Sequence, residues 1–303
     1  MTGATGHLGR RLLDLLLADP RIDRVRSVAR GPVAPRPRLT HTRADLCDPA
    51  ARDALDGVDV LWHLGAQLWR SRDGRQIAVN IDGTANVIAA RPGHIVLASS
   101  AAVYGAHPDN PIPLTEDDPP RPNPECAYAW HKLEAERLVA DAGVPAAVLR
   151  ISAVLGPHAD AAVQRATRGY RLIVPAVDAP QALQFLDEDD AAAGLLAAGM
   201  ASATGTWNLG PTDWLDEHDI ARIGGGRVVR VPIQVAIAAS ELAYRLRLLP
   251  FGADRSSLLG GPLALDPTRA AADLRWRATR SSAAVLADAV GGQGVQRYMR
   301  HVR

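Results

Sequence analysis

The residues of this chain whose types and spacing could do chemistry centre on Tyr128 and Lys132, four positions apart. On a helix, residues i and i+4 share one face, so both side chains can point into one cleft. A phenol is a poor base near neutrality because its pKa is about 10, but a neighbouring ammonium favours the phenolate. Such a tyrosine can exchange a proton with a carbinol while hydride moves to or from a nicotinamide. Ser100, at the end of a strand pattern, could hydrogen-bond the reacting oxygen.

The spacing of this pair is hard to explain by chance. Lys132 is the only lysine among 34 basic residues, and every other one is arginine. The chain has five tyrosines, so a single lysine would fall four residues after one of them in roughly two cases in a hundred. The alternative is an ordinary helix face. We predict Ser100, Tyr128 and Lys132 as the catalytic residues.

A glycine-rich turn opens the chain and leads into a helix pattern at residues 10–17. Gly3, Gly6 and Gly9 have the spacing of a turn that binds a dinucleotide. The first glycine permits the tight turn, the second lets the backbone approach a pyrophosphate, and the third lets the helix pack closely on the sheet. Three glycines alone are weak evidence. A buried strand pattern ending at residues 63–66 and the pair Asp45–Leu46 follow at suitable distances and strengthen the interpretation.

Strands alternate with helices along the first half of the chain. Strand patterns cover residues 24–29, 59–64, 94–100 and 146–151, and helix patterns cover residues 77–90 and 128–139. This alternation predicts an α/β fold with a doubly wound, parallel Rossmann-type sheet and a smaller C-terminal substrate lobe. Only Met1 and Thr2 precede the glycine turn, so the first strand is expected to be truncated. We expect the natural protein to carry an apolar strand just before Thr2.

Composition excludes several classes of protein. The 303 residues are 47% hydrophobic and 22% charged, which excludes disordered, collagen-like and coiled-coil chains. The 34 basic and 33 acidic residues leave a formal net charge of +1, which argues against a nucleic-acid partner. Cys47 and Cys126 are too few for a disulfide framework and predict a cytoplasmic protein.

No membrane span, signal peptide or metal site is predicted. The Ala-rich run after Asp190 is short, and the apolar run after Val231 carries charged residues. No two histidines are three or four positions apart. The acids at 187–190 are expected to cap a helix, and those at 116–118 to be solvated in a proline-rich loop.

Several motifs together resemble one known family, the extended short-chain dehydrogenases/reductases or NAD-dependent epimerase/dehydratase family. They lie at residues 2–9, 63–66, 80–87, 99–105, 128–132 and 150–157, with weaker similarity at 184–190, 205–210 and 266–276. The resemblance implies a catalytic Ser-Tyr-Lys set, here Ser100, Tyr128 and Lys132, and a bound nicotinamide dinucleotide. The family usually has Ser where this chain has His131, and Pro where it has Ile151. Both departures fall near the nicotinamide or the substrate, so the resemblance implies the reaction class more sharply than the substrate.

The dinucleotide is expected to contact residues of four segments. They are Gly3, Thr5, Gly6, His7, Leu8, Gly9, Arg30, Asp45, Leu46, Leu64, Gly65 and Ala66, together with Tyr128 and Lys132. An NAD enzyme of this type typically presents an acid to the adenosine ribose at the end of the second strand. This chain has Ala29 and Arg30 there, and an arginine would suit a 2'-phosphate. The cofactor is therefore NAD or NADP, with NADP slightly favoured unless Arg30 is a solvated loop residue.

The leading hypothesis is an NAD(P)-dependent oxidoreductase or epimerase that transfers hydride at a secondary alcohol or ketone, with a nucleotide sugar among the candidate substrates. The alternatives are an NADPH-dependent carbonyl reductase for a non-sugar ketone, and a non-catalytic protein that senses dinucleotide redox state. We expect a dinucleotide-binding domain at residues 1–155 and a substrate lobe at 156–303, with a segment near 181–211 returning to the first domain. The partner would be a small molecule. The oligomeric state is open, a homodimer being one form.

Overall fold

The structure is a computed structural model that describes residues 1–70, 75–249 and 251–291. Its strands are β1 (Val25–Ala29), β2 (Leu39–Arg43), β3 (Val60–His63), β4 (His94–Ser100), β5 (Ala146–Ile151), β6 (Ala153–Leu155), β7 (Ile173–Ala176), β8 (Phe185–Asp187), β9 (Gly205–Leu209) and β10 (Arg227–Arg230). Its α-helices are α1 (His7–Ala18), α2 (Pro49–Leu55), α3 (Arg75–Ile77), α4 (Gly83–Ile88), α5 (Ala127–Asp141), α6 (Ala161–Gly169), α7 (Glu188–Met200), α8 (Glu217–Gly224), α9 (Ile233–Arg245), α10 (Ala253–Ser256), α11 (Thr268–Asp273) and α12 (Ser282–Ala289).

The main sheet is parallel throughout. β3, β4, β5 and β9 are neighbours in that order, and β1 pairs with β2. Thr2 joins the two groups through bridges to Val28 in β1 and His63 in β3. Because helices connect strands that are all parallel, the structure confirms the predicted doubly wound α/β fold.

The central position of this sheet is held by three residues. Thr2 N donates to Trp62 O at 2.9 Å and Gly3 N donates to Val28 O at 3.0 Å, while Val28 N donates to Met1 O at 3.0 Å. These bonds tie the start of the chain to both neighbouring strands. A cavity of about 440 Å³ adjoins Met1 and is lined by residues of β1, β3 and α7 among others.

Helices cover both faces of the sheet because its central strands are apolar on both sides. Val96 and Ala98 of β4 belong to a core that includes residues of α1 and α7. Ile95 and Leu97, which alternate with them, pack with Ala135 and other residues of α5. Helix α7 begins as expected, since the Asp187 carboxylate accepts a hydrogen bond from Asp189 N at 2.8 Å.

The second half of the chain builds a smaller layer beside this sheet. β6 pairs with β8, and β7 pairs with β10, each as a parallel pair. β9 instead joins the main sheet next to β5. The division of the chain at residue 155, with a segment near 181–211 returning, stays a prediction, and residues 292–303 of the predicted lobe lie outside the described residues.

In the described part of the chain, we find no helix with the length and apolar character needed to span a bilayer.

Candidate active site

The structure brings the three predicted catalytic residues together at the carboxyl end of β4. Helix α5 places Tyr128 in its first turn and Lys132 one turn later on the same face. The Lys132 ammonium is buried; Nζ donates to Ala98 O at 2.7 Å and lies 5.8 Å from the Tyr128 ring centroid. Ser100 is the last residue of β4, and its Oγ accepts from Ala102 N at 3.2 Å. Its side chain is close enough to Tyr128 to lower the pKa of the phenol. This is the crevice in which ligands bind to parallel α/β sheets.

The surroundings of Tyr128 push its pKa in opposite directions. Burial raises the pKa of the phenol, and the charge of Cys126, were it ionised, would raise it further. The positive charge of Arg255 and the nearby hydroxyl of Ser100 lower it. Burial dominates, so the phenol is protonated near neutral pH and needs more positive charge to act as a base.

The ammonium of Lys132 is close to losing its proton at neutral pH. Burial lowers the pKa of Lys132 to about 8, although the charge of Glu136 raises it. Glu136 lies one turn further along α5 and is itself buried in a salt bridge. Its carboxylate accepts from Arg150 Nη2 at 2.8 Å and from Ser99 Oγ at 2.5 Å. Because Arg150 is in β5 and Ser99 in β4, this network fixes the rotation of α5 that points Lys132 at the site.

The glycine turn has the conformation that its sequence predicts. Gly3 has a φ of 73°, which favours glycine, and Gly6 N donates to Gly3 O at 2.9 Å. A Cβ at Gly9 would overlap the Gly3 carbonyl oxygen. Helix α1 has no side-chain cap at Gly6 and no acid in its first turn, so its first backbone N–H groups are available to an anion. The turn therefore fits the pyrophosphate of a dinucleotide.

Two further predicted segments meet this turn. Gly65 N donates to Thr2 Oγ1 at 2.9 Å, and a Cβ at Gly3 would lie 2.8 Å from Gly65 N. A Cβ added at Gly65 would lie 2.6 Å from Leu46 Cδ1 and 3.1 Å from Thr2 Oγ1. Leu64 N is also directed at Thr2 Oγ1, at 3.2 Å. The three segments predicted to bind the dinucleotide thus pack against one another.

The remaining predicted cofactor residues lie around this cluster. Ala66 and Arg30 are exposed, and Asp45 Oδ2 accepts from Arg75 Nη2 at 2.7 Å. A Cβ at Gly31 would contact Thr5 Cγ2 at 3.3 Å, so the end of β1 that carries Arg30 adjoins the glycine turn.

The two remaining side chains of the turn face the protein. The imidazole of His7 hydrogen-bonds the buried Glu188 carboxylate, which also binds His158. Leu8 packs against the main core.

Three features were not predicted from the sequence. Arg255 lies over the Tyr128 ring, although it is 127 positions away in the chain. No local sequence signal marks Arg255, because α10 has only four residues and is too short to show a helical pattern. His63, named only as part of a motif, is buried with both ring nitrogens hydrogen-bonded.

The prediction that Glu116 is solvated is wrong: its side chain is 4% exposed and accepts from Asn208 N at 2.7 Å.

Comparison with protein families agrees with this geometry. A model of the NAD dependent epimerase/dehydratase family matches residues 1–210. An uncharacterized protein of Mycobacterium tuberculosis (strain ATCC 25618 / H37Rv) is 28% identical over 318 residues, which cover 97% of this chain and 84% of that protein.

Solved structures share the fold. MoeE5 in complex with UDP-glucose and NAD has a TM-score of 0.71 at 24% identity, covering 98% of both chains. UDP-galactose 4-epimerase has a TM-score of 0.68 at 21% identity, again covering 98% of both. A short-chain dehydrogenase/reductase superfamily protein from Agrobacterium tumefaciens with bound NAD has a TM-score of 0.70 at 23% identity, covering 99% of this chain and 97% of that one.

Proposed function

Because the chain belongs to the NAD dependent epimerase/dehydratase family, we propose that it is an NAD(P)-dependent enzyme that transfers hydride at a secondary alcohol or ketone. The observation that carries this proposal is the meeting of Ser100, Tyr128 and Lys132 at the carboxyl end of β4. A hydroxyl, a phenol and an ammonium on one cleft are the groups needed to move a proton while hydride moves. A non-catalytic dinucleotide sensor would not need all three.

Each residue of the set has a distinct role in the proposed reaction. When bound, the nicotinamide accepts or returns the hydride. The Tyr128 phenolate takes the proton of the substrate hydroxyl during oxidation and returns it during reduction. The Ser100 hydroxyl hydrogen-bonds the reacting oxygen, and the Lys132 ammonium favours the phenolate.

The dinucleotide would bind across the glycine turn and its neighbours. The backbone N–H groups at the start of α1 would hold the pyrophosphate, with Gly3, Gly6 and Gly9 allowing the close approach. Leu46 and the backbone at Leu64–Ala66 would line the adjoining pocket. The remaining predicted contacts are those of Thr5, His7, Leu8 and Asp45.

The choice between NAD and NADP depends on Arg30 in this proposal. The relatives named above that carry a cofactor bind NAD. In this chain Ala29 is buried at the end of β1 and Arg30 is exposed beside the glycine turn. An exposed guanidinium at that position supports NADP, because it can pair with a 2'-phosphate.

For the substrate we propose a secondary alcohol or ketone carried by a nucleotide sugar. The support is the fold shared with MoeE5, whose structures hold UDP-glucose and UDP-glucuronic acid, and with UDP-galactose 4-epimerase. A non-sugar ketone is the second candidate, and the exposed Arg30 supports it, because a reductase that consumes NADPH would use such a residue.

The test combines cofactor binding with product analysis. Purified protein is titrated with NAD and with NADP. It is then incubated with UDP-glucose and UDP-glucuronic acid in the presence of the bound dinucleotide, and with a panel of ketones in the presence of NADPH. A change in sugar stereochemistry without net cofactor turnover supports the epimerase, whereas stoichiometric loss of NADPH supports the carbonyl reductase. Tyr128→Phe is the matched control and should lose at least about a hundredfold of its turnover in both arms. Cofactor binding without any hydride exchange across the panel would contradict the proposal.

A further inference from the structure

A second cation lies directly over the predicted catalytic tyrosine. Arg255, in the short helix α10, has its guanidinium carbon 4.9 Å from the centroid of the Tyr128 ring. The same carbon is 5.2 Å from the ring of Trp69. Both distances are within the range of a cation–π interaction. Arg255 comes from the C-terminal part of the chain, whereas Ser100, Tyr128 and Lys132 come from the main sheet and α5.

The charge of Arg255 is not neutralised by a neighbouring carboxylate. Within the described ranges it forms no ion pair, and its Nε–H is buried without a hydrogen-bond partner. Its Nη2 donates to the backbone oxygen of Leu68 at 2.9 Å. Arg70 provides a contrast, since it also lies over a tyrosine ring, that of Tyr244 at 4.3 Å, but its Nη2 is 3.0 Å from both carboxylate oxygens of Glu241.

The position of Arg255 is set by its contacts. The hydrogen bond to Leu68 holds the guanidinium against the segment that follows β3. The next residue, Trp69, donates from Nε1 to Asp160 Oδ2 at 2.6 Å, so its ring is also fixed. A guanidinium held in this way loses little side-chain entropy when Tyr128 ionises.

We propose that Arg255 is a positioning residue for the reaction, which stabilises the phenolate form of Tyr128 together with Lys132. This rests on the proposed function, because it assigns a partner to the tyrosine named there. A phenolate ring carries more negative charge than a phenol ring, so a cation above its face favours ionisation. The ionisable groups that face Tyr128 are Arg255 from α10, Lys132 from the same helix and Cys126 at the start of that helix.

The first experiment measures the ionisation of Tyr128 directly and needs no substrate. Tyrosinate absorbance is followed against pH in the full chain, and the curve of the same protein carrying Tyr128→Phe is subtracted, which isolates Tyr128 from the other tyrosines. Arg255→Gln should move the Tyr128 midpoint up by about one pH unit, a tenfold loss of phenolate at fixed pH. Arg255→Lys, which keeps the charge but not the planar group, should move it by less.

Arg70→Gln is the matched control, because it removes an arginine stacked on a different tyrosine. It should leave the Tyr128 midpoint unchanged. An Arg255→Gln midpoint equal to that of the parent, in a protein with a parental circular dichroism spectrum, would overturn the proposal. If Arg255→Gln does not fold, Arg255→Lys and Arg255→Met decide the question by the same subtraction.

The second experiment separates this inference from the proposed function. With any substrate that is turned over, the limb of the kcat/KM profile that reports Tyr128 should shift upward in Arg255→Gln by the same amount as the titration midpoint. This is the acidic limb in oxidation, where the phenolate is the base, and the basic limb in reduction, where the phenol is the acid. A shifted midpoint in a protein that shows no hydride transfer would leave the inference standing and remove the proposed function. Turnover with an unshifted profile would leave the proposed function standing and overturn the inference.

Discussion

Acidification should destabilise this protein in part through one buried histidine, His63. The His63 side chain is 3% exposed at the end of β3. Burial, followed by repulsion from Lys132, lowers the pKa of His63 from 6.5 to about 3. The imidazole is therefore neutral in the folded protein at pH 5, whereas in the unfolded chain it is mostly protonated.

The hydrogen bonds around His63 allow only one neutral form. Thr2 Oγ1 accepts from the backbone N–H groups of Leu64 and Gly65, so its own proton goes to His63 Nδ1, 2.7 Å away. On the other side, Thr84 Oγ1 uses its proton on a backbone oxygen and accepts from His63 Nε2 at 3.0 Å. A proton added at Nδ1 would face a hydroxyl that has no free lone pair, in addition to being desolvated.

The magnitude follows from the two pKa values. Between pH 6.5 and 3 the unfolded chain binds a proton that the folded protein does not, so stability falls as the pH falls. From pH 7 to pH 5 the part of the loss that His63 contributes is about 2 kcal/mol, calculated from its pKa values in the unfolded and folded states. Urea unfolding followed by tryptophan fluorescence at pH 7, 6 and 5 measures it.

Variants assign the loss to His63. His63→Gln should be less stable at pH 7 by roughly 1–3 kcal/mol, because hydrogen bonds are lost, but its stability should depend less on pH over this range. His218→Gln, at an exposed position, should keep the full dependence. An equally steep loss in His63→Gln would refute the reasoning.

The other predictions concern the proposed site. Tyr128→Phe should lower turnover by roughly 10²–10⁴-fold and leave dinucleotide affinity, measured by titration, within a few fold; lost cofactor binding in a folded variant would contradict the assigned role. Lys132→Arg should be severely impaired in steady-state assays, because a guanidinium is wider than the buried ammonium it replaces; near-normal activity would remove the inference drawn from the single lysine. Arg30→Ala should weaken NADP binding more than NAD binding, and equal effects in titrations of both would mark Arg30 as a loop residue. Gly9→Ala should lower the stability by about 2 kcal/mol or more in urea unfolding, because its Cβ would overlap Gly3; a parental midpoint would show that the turn can relax.

The parts of this protein that the sequence predicts are those made by local patterns. The glycine turn, the alternation of strands and helices, and the spacing of Tyr128 and Lys132 each need only a short window of chain. The interactions that it misses join distant segments. Arg255 reaches Tyr128 from another layer of the fold, and Glu116 is buried because Arg269 and the backbone of β9 approach it from later in the chain. Composition suggests a solvated acid there, and only the tertiary contacts reverse that expectation.

The two cations beside Tyr128 differ in how they respond to pH, which gives them different roles. Burial lowers the pKa of Lys132 to about 8, so before ligands bind its charge is largely lost above that pH. A guanidinium keeps its charge throughout the range in which proteins are stable. Above pH 8, Arg255 is therefore the permanent charge of the pair, and Lys132 contributes in proportion to its protonated fraction. Because burial raises the pKa of Tyr128, the phenol ionises only at a pH at which Lys132 has already lost its charge. Arg255→Gln should therefore raise the Tyr128 midpoint without compensation from Lys132, and an unchanged midpoint would mean that Arg255 does not act on this phenol.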